Sequence, residues 1–244
     1  LRQDCRDAQK KYVMHCMTRI SQQECRGILE FHIRCDVWWE TAYSENKEPK
    51  KRSIMKLSVL FKRIQHAVIQ MPELEEEMEI RGITCNSQKA EEDSLFVCIQ
   101  GSRADGHDYI EEACNLGASC ILIEKLVSGG RMLKFPENVA VVLVKDTREA
   151  LAGISRIWFG SPADKLKVIG VTGTKGKSTV AVMIREMLES LGQKCGLIGT
   201  IANHLGNEVV TSPNTTPDAF TIQSYFAKMV EAGCHYAVME VSSQ

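Results

Sequence analysis

The chain has 244 residues, which is room for one or two domains that each bury a core of their own. Its 30 lysines and arginines and 31 aspartates and glutamates leave a formal net charge of −1, so it lacks the charge excess typical of proteins that bind nucleic acids or anionic membranes. No apolar run approaches the roughly 20 residues that a membrane-spanning helix needs. Composition therefore favours a globular protein with neither nucleic acid nor membrane as its partner.

The 10 cysteines are scattered along the chain and form no Cys-x-x-Cys pair. Several of them, such as Cys98 and Cys120, lie in apolar runs typical of strands, where a thiol acts as a small hydrophobic group. We therefore expect a reduced, cytoplasmic chain rather than a disulfide framework.

Residues 1–54 show no clean helical or strand periodicity, and we interpret them as an extension of unknown structure. Their cysteines and histidines do not have the spacing of a compact zinc site, so zinc binding is disfavoured there. Met55 begins a segment typical of the start of a protein, and we hypothesise that residues 1–54 are not native. A peptide from before Met55 in mass spectra of the native protein would contradict this hypothesis.

From Met55 onward, hydrophobic patterning predicts a layered α/β domain over residues 55–160. The predicted elements are a helix over 57–69, strands over 80–85 and 95–99, a helix over 108–116, strands over 120–123 and 139–144, and a helix over 147–159. The acidic segment 73–79 is interpreted as a solvated surface. A tight polar loop between Gly101 and Gly106 follows a strand, where α/β proteins usually bind ligands.

A linker over 160–165 leads to a second α/β unit over 166–244. Its predicted elements are a strand from Leu166, a helix over 178–191, a strand over 194–198, a helix opened by Thr216-Pro217-Asp218 and ended by Gly233, and a strand over 236–241. The helix over 178–191 is strongly amphipathic, which predicts that its apolar face is buried. A parallel sheet is not finished by residue 244, so we expect this unit to be the first part of a larger domain.

The strongest functional signal is a glycine-rich turn between a predicted strand and a predicted helix. Its residues are Gly173, Thr174, Lys175, Gly176, Lys177, Ser178 and Thr179. Backbone N–H groups and the helix dipole favour an anion at such a helix start, and the glycines let the backbone wrap a polyphosphate. We expect Lys177 to reach the β and γ phosphates and Ser178 to offer its hydroxyl to Mg²⁺. The strict phosphate-loop pattern has glycine where this chain has Val171, so the motif is a variant.

A second signal is Glu240, an acid at the carboxyl end of a predicted buried strand, where a carboxylate supports Mg²⁺ beside a phosphate loop. The chain has no Asn-Lys-x-Asp motif for reading guanine, so ATP is the expected nucleotide. The segment from Ser212 to Asp218 is either a ligand contact or only a capped loop, and the residues alone leave both alternatives open.

Four motifs, taken in order, resemble the Mur ligases of bacterial cell-wall synthesis. They are the Cys-Asn-Ser-Gln segment at 85–88, the LFV…ADGHDYI segment, the phosphate loop, and TTPD followed by MEVSSQ. The resemblance covers residues 55–244. The last two segments are similar to the MurE type, which joins a diamino acid to UDP-N-acetylmuramoyl-L-alanyl-D-glutamate through an acyl phosphate.

The resemblance implies a role for each matching residue. The first domain would bind the UDP end of the substrate, and the second, incomplete P-loop domain would bind ATP and Mg²⁺ with Ser178 and Glu240 serving the metal and Lys177 the catalytic step. The implied substrate-binding residues are Cys85, Ser87, Ser102, Arg103, Ala104, Asn214, Thr215, Thr216 and Ser242. A monomer that takes UDP-N-acetylmuramoyl-dipeptide and a diamino acid is expected, and the sequence does not decide between diaminopimelate and lysine.

The chain also departs from the family pattern. Asn86 and Gln88 stand where the family commonly has Asp and Arg, Lys175 replaces a common Asn, and Gln244 a common His. The family's carbamoylated lysine and its amino-acid-selecting domain follow the MEVSS segment, so we expect this chain alone to bind nucleotide weakly and not to ligate. Two alternatives remain: a MurF-type or folylpolyglutamate-synthase-like ligase, and a nucleotide-binding module without ligase activity.

Overall fold

A computed structural model describes residues 54–72, 78–101, 104–212 and 215–242, all within one compact unit. The hypotheses about residues 1–53 fall outside the described residues, as do Ser102, Arg103, Asn214 and most of the acidic segment. The architecture is α/β, as predicted, with one five-stranded sheet between residues 66 and 144 and another between residues 167 and 240.

The first sheet has the order β2-β9-β6-β5-β4. The strands of this half are β1 Met55–Lys56, β2 His66–Gln70, β3 Glu79–Ile80, β4 Gly82–Thr84, β5 Ser94–Val97, β6 Ala118–Ile123, β7 Val127–Ser128, β8 Arg131–Met132 and β9 Ala140–Val144. The helices are α1 Leu57–Leu60, α2 Ile110–Asn115 and α3 Thr147–Trp158, with 3-10 turns at Ser87–Lys89 and Gly106–Tyr109. Strands β4, β5, β6 and β9 are parallel and β2 is antiparallel.

Side chains alternate between the two faces of this sheet and form a core on each. On β6, Leu122 packs into a core with Leu151 and Ile154 of α3, whereas Ile121 packs into the core that contains Ile110 of α2. The helix predicted over 147–159 is therefore confirmed as Thr147–Trp158, with one apolar face buried against the sheet. Helices on both faces of a mostly parallel sheet leave its carboxyl end open for a ligand.

The predicted helix over 57–69 is wrong beyond its first turn. The helix ends at Leu60, and His66–Gln70 forms strand β2, which pairs with β9 along His66↔Val144 to Val68↔Val142. Adjacent β-branched Val68 and Ile69 suit a strand, and pairing with a buried neighbour supplies the backbone hydrogen bonds. The predicted strand over 80–85 is also divided, because β3 pairs with β1 whereas β4 joins the main sheet.

The second sheet has the order β10-β14-β11-β12-β13. Its strands are β10 Lys167–Val171, β11 Cys195–Ile198, β12 Ala202–His204, β13 Val209–Thr211 and β14 Tyr236–Glu240, and its helices are α4 Lys177–Ser190 and α5 Ala219–Glu231. Strands β10, β14 and β11 are parallel, whereas β12 and β13 form an antiparallel hairpin that the sequence analysis did not predict. Two three-residue strands are too short to show a clear period.

The apolar face predicted for the helix over 178–191 is only partly buried. Ala181 is buried and Ile184 and Leu188 pack beside it, but Met187 is 56% exposed and Leu191 is 69% exposed. Helix α4 packs mainly over β11 and β14 of the second sheet, through Ala181, Ile184 and Leu188. The outer half of the stripe therefore meets no other described element.

The two halves contact each other through α3 and α5. The rings of Phe159 and Phe220 lie 5.0 Å apart between centroids, and Phe220 packs against the core beneath α3. This contact fixes the start of α5 beside the first sheet. None of the described helices combines the length and the apolar character needed to span a membrane.

Candidate nucleotide and substrate site

The glycine-rich turn connects the end of β10 at Val171 to the start of α4 at Lys177. Gly173 has φ 143° and Gly176 has φ 78°, which are values that favour glycine. Gly176 is the N-cap of α4, and residues 172–176 are exposed. The start of α4 is therefore accessible from the exposed turn, and the free N–H groups at an accessible helix start favour a phosphate.

Lys177 begins α4 and bends back over the turn. Its Nζ donates a hydrogen bond of 2.9 Å to the carbonyl oxygen of Gly173. The ammonium group is thus held within the turn, where a polyphosphate wrapped by residues 173–179 would compete with a neutral carbonyl for it. A charged acceptor makes the stronger hydrogen bond.

Ser178 and Glu240 are brought together, although they are distant in sequence. Ser178 Oγ donates to Glu240 Oε2 at 2.9 Å, and Glu240 is only 2% exposed. Strand β14 lies between β10 and β11, with Glu240 opposite Val171 at the end of the pairing. Parallel pairing therefore carries the acid to the base of the glycine-rich turn.

The arrangement suits Mg²⁺. The Glu240 carboxylate and the Ser178 hydroxyl are oxygen donors, and Mg²⁺ commonly takes one or two such protein ligands together with phosphate oxygens and water. No cluster of three or more acidic, histidine or cysteine side chains occurs in the described ranges, so a site made of such protein ligands alone is not seen there.

The hydroxyl groups of Thr216 and Ser242 lie beside the backbone of Glu240. Thr216 Oγ1 donates to the backbone oxygen of Glu240 at 3.0 Å, lies 3.0 Å from Ser242 Oγ and accepts from Ser242 N at 3.1 Å. Thr215 Oγ1 lies 3.0 Å from Thr200 Oγ1. Three of the predicted substrate residues, Thr215, Thr216 and Ser242, are thus close to the predicted metal carboxylate.

The start of the following helix differs from the prediction. The N-cap of α5 is Asp218, whose Oδ1 accepts from Thr221 N at 2.9 Å, and not Thr216. An aspartate closer to the helix offers its carboxylate to the free N–H groups, which releases Thr216 to contact Glu240. The segment thus contacts Glu240 as well as preceding a capped helix, and its contact with a ligand stays a prediction.

Thr200 was missed by the sequence analysis. Its backbone N–H donates to Glu240 Oε1 at 2.9 Å, and its Oγ1 lies 3.2 Å from Glu240 Oε2. The available signal was its position directly after the carboxyl end of β11, the strand that neighbours β14. Polar residues at that edge of a parallel sheet are candidates for ligand sites.

In the first half, Cys85 follows β4 and Ser87 opens a 3-10 turn. Cys85 is exposed as a residue, yet desolvation of its thiol and the Asp218 carboxylate raise its pKa to about 12. Ser87 Oγ donates to Glu112 Oε2 at 2.5 Å, so its hydroxyl is already engaged with α2.

The polar loop after β5 is closed at both ends. Gly101 N donates to the carbonyl oxygen of Ala104 at 2.9 Å, and Gln100 bridges to Asp105. Asp105 accepts from His107 and from Lys125. Burial disfavours the charge on Asp105, but the hydrogen bonds from Lys125 and His107 outweigh it and lower the pKa to about 2.

The fold and the site together define an α/β protein with a glycine-rich turn between a parallel strand and a helix and a buried carboxylate beside it. Residues 79–158 match the family described as "Mur ligase family, catalytic domain", and residues 171–244 match "Mur ligase middle domain". The chain belongs to the Mur ligase family.

Curated relatives agree with this assignment. The chain is 42% identical over 189 residues to a UDP-N-acetylmuramoyl-L-alanyl-D-glutamate–2,6-diaminopimelate ligase of Clostridium perfringens, covering 78% of this chain and 37% of the relative. It is 44% identical over 168 residues to the ligase of the same name from Bacillus cereus, covering 69% and 33%. The chain therefore spans about a third of the length of these relatives.

Solved structures share the fold. A UDP-N-acetylmuramoylalanyl-D-glutamyl-2,6-diaminopimelate–D-alanyl-D-alanyl ligase from Acinetobacter baumannii superposes with a TM-score of 0.50 at 21% identity, covering 80% of this chain and 38% of that one. A UDP-N-acetylmuramoyl-L-alanyl-D-glutamate–2,6-diaminopimelate ligase gives a TM-score of 0.50 at 23% identity, covering 67% and 32%.

Proposed function

We propose that this chain is the UDP-substrate-binding and ATP-binding part of a cytoplasmic, monomeric ligase that joins a diamino acid to UDP-N-acetylmuramoyl-L-alanyl-D-glutamate. The observation that carries the proposal is the contact between Ser178 and Glu240 at the base of an open glycine-rich turn, beside Thr215, Thr216 and Ser242. The names of the relatives favour 2,6-diaminopimelate as the amine.

The proposed reaction makes an amide from a poor acyl donor. A carboxylate oxygen of the substrate attacks the γ-phosphorus of ATP, the bond to the β-phosphate oxygen breaks, and ADP leaves. The amine nitrogen then attacks the acyl phosphate carbon, inorganic phosphate leaves, and the amine loses a proton. Phosphorylation thus replaces oxide, which is a very poor leaving group, with phosphate, which is a good one.

The residues of this chain would act by positioning and by charge. Residues 173–179 offer backbone N–H groups to the phosphates, and Lys177 brings a cation from its contact with Gly173. When bound between Ser178 and Glu240, Mg²⁺ would supply positive charge against the phosphate oxygens. Thr215, Thr216 and Ser242 offer hydroxyls next to this point, where the substrate carboxylate has to meet ATP.

The first half would hold the uridine end of the same substrate. Cys85, Ser87 and Ala104 follow the carboxyl ends of β4 and β5. Helix α5 of the second half packs against this part of the chain through Phe220. One long substrate could then extend from the first sheet to the second. Ser102, Arg103 and Asn214 belong to this proposal from sequence alone.

Calorimetric titration of the purified chain with candidate substrates tests this function. We expect UDP-N-acetylmuramoyl-L-alanyl-D-glutamate to bind, and ATP to bind in the presence of Mg²⁺. Binding of the UDP-tripeptide alone would instead favour a MurF-type ligase, and binding of a folate would favour a folylpolyglutamate-synthase-like one. ATP binding without any acid substrate would favour a nucleotide-binding module.

A further inference from the structure

The turn after β11 encloses the buried carboxylate of Glu240. Thr200 N donates to Oε1 at 2.9 Å, and Thr200 Oγ1 lies 3.2 Å from Oε2, so both oxygens contact the same residue. The other side-chain contact of this carboxylate is with Ser178 Oγ at 2.9 Å. If the Ser178 hydroxyl instead binds a metal, Thr200 remains as a partner of the Glu240 carboxylate in the described structure. It contacts the carboxylate through both its backbone N–H and its hydroxyl.

Close approach of the turn to Glu240 depends on a glycine. A Cβ added at Gly199 would overlap Glu240 Oε1, so even alanine there would push the carboxylate out of place. The peptide between Gly199 and Thr200 thus lies directly against the acid. Because Glu240 is 2% exposed, it has little room to move elsewhere.

A buried asparagine, Asn203, forms a hydrogen bond with the turn after β11. Asn203 has no exposed surface, and its Oδ1 accepts from Gly199 N at 3.1 Å. This hydrogen bond holds the peptide between Ile198 and Gly199, one peptide before the Thr200 N–H. Strand β12, which carries Asn203, therefore supports the turn together with β11.

The hydroxyl of Thr200 also reaches the loop before α5. Thr200 Oγ1 and Thr215 Oγ1 are 3.0 Å apart. A hydroxyl has one proton to donate, so Thr200 Oγ1 donates either to Thr215 Oγ1 or to the Glu240 carboxylate. The carboxylate is thereby connected to a proposed substrate residue through a single side chain.

We propose that Thr200 is a positioning residue that holds Glu240 in the orientation needed for Mg²⁺, and that Gly199 provides the space for this contact. The proposal rests on the proposed binding of Mg²⁺ and ATP, and it adds a residue that acts through Glu240. Partners that orient a metal ligand commonly change metal affinity by about 10- to 100-fold when removed.

The test measures Mg²⁺ dependence of nucleotide binding and needs no ligase activity. A fluorescent ATP analogue is held at fixed concentration and Mg²⁺ is titrated against the wild type, Thr200→Val, Thr200→Ser and Thr211→Val. Thr211 is an exposed control on the neighbouring hairpin, and no hydrogen bond joins it to Glu240 within the described residues. We expect Thr200→Val to raise the half-effective Mg²⁺ concentration about tenfold. Thr200→Ser, which keeps the hydroxyl, and Thr211→Val should match the wild type, and affinity without Mg²⁺ should be unchanged throughout.

Gly199→Ala provides a second variant should Thr200→Val fail to fold. It leaves the Thr200 hydroxyl in place and displaces Glu240 by crowding, and we expect a similar rise in the Mg²⁺ requirement. A folded variant with the wild-type Mg²⁺ midpoint would overturn the positioning role while leaving the proposed function intact. Absence of nucleotide binding by the wild type at saturating Mg²⁺ would overturn both.

Discussion

Lys177 connects the glycine-rich turn to the chemistry. Its contact with the Gly173 carbonyl is available in the absence of a ligand, and phosphate oxygens would replace that neutral acceptor with charged ones. Nothing in this contact suggests a large role in folding, because the group is near solvent and has one neutral partner.

We therefore expect Lys177→Ala to weaken ATP binding by about tenfold or more, since a hydrogen bond to a charged group contributes roughly one tenfold factor or more in binding. Calorimetry with ATP and Mg²⁺ measures the loss, and thermal unfolding should shift little. Lys145→Ala, which removes an exposed lysine of the first half, is the matched control. Equal affinities for the wild type and Lys177→Ala would contradict the assigned role.

Asp105 gives a prediction about pH. Its pKa is lowered from 3.8 to about 2 in the folded chain, chiefly because Lys125 and His107 outweigh the effect of burial. A carboxylate with a depressed pKa stabilises the fold above its unfolded pKa, and this contribution is lost as the pH falls toward the folded pKa. The relevant window is between pH 3.8 and about 2.

We expect Asp105→Asn to lower the free energy of unfolding at neutral pH, and the difference from the wild type to shrink as the pH falls through that window. Urea denaturation at a series of pH values measures it. Asp108→Asn, an exposed acid of the same loop, is the comparison. A difference that stays constant from neutral pH to pH 2 would show that Asp105 contributes no charge-dependent stability.

Individual residues also show what sequence could and could not reveal about the site. The glycine-rich turn was predicted because it follows a recognisable apolar strand. Glu240 was predicted because it is the acid that ends another such strand. Thr200 was not, because a lone threonine after a strand carries no signal until pairing of β11 with β14 brings it to Glu240. Asn203 was not predicted either, because its contact with Gly199 exists only in the folded sheet.

At the level of elements, α4 combines two environments. Its inner positions pack against the second sheet, whereas Met183 and Met187 are more than half exposed. The amphipathic pattern predicted one buried face because sequence shows which residues are apolar but not which neighbours are present. The side of α4 that faces β11 and β14 is covered, whereas Met183, Met187 and Leu191 remain exposed in the described structure.

We expect Met187→Gln to change the free energy of unfolding of this chain by less than about 0.5 kcal/mol, as is usual for surface substitutions. Leu151→Ala on α3, where the side chain is 2% exposed, should cost about 2–5 kcal/mol. Urea denaturation compares the two variants with the wild type. A cost for Met187→Gln near that of Leu151→Ala would show that the outer face of α4 is covered.

Elements that depend on distant pairing were the ones that sequence predicted poorly. Strand β2 was predicted as helix because its pairing with β9 joins segments more than 70 residues apart in the chain (His66↔Val144), and local patterning does not register such pairing. Helix α3 was predicted well, since its period is strong and Asp146 caps it locally through Arg148 N and Glu149 N.

For the whole molecule, helix α5 connects the candidate site to the first half. The loop before it contacts Glu240 through Thr216, and Phe220 near its start packs against Phe159 and the core beneath α3. A substrate with a nucleotide at one end and a carboxylate at the other fits this layout. The position of the sheets thus supports the proposed function more than either sheet does alone.

The central claim is that residues 173–179 wrap the phosphates of ATP beside Glu240. A crystal structure of this chain with Mg²⁺ and a non-hydrolysable ATP analogue tests it directly. We predict a triphosphate along the turn, with Lys177 Nζ moved from the Gly173 carbonyl to a phosphate oxygen and Mg²⁺ next to Ser178 and Glu240. A structure in which Lys177 Nζ keeps its hydrogen bond to the Gly173 carbonyl, and in which the nucleotide is bound elsewhere or is absent at saturating concentration, would contradict the claim.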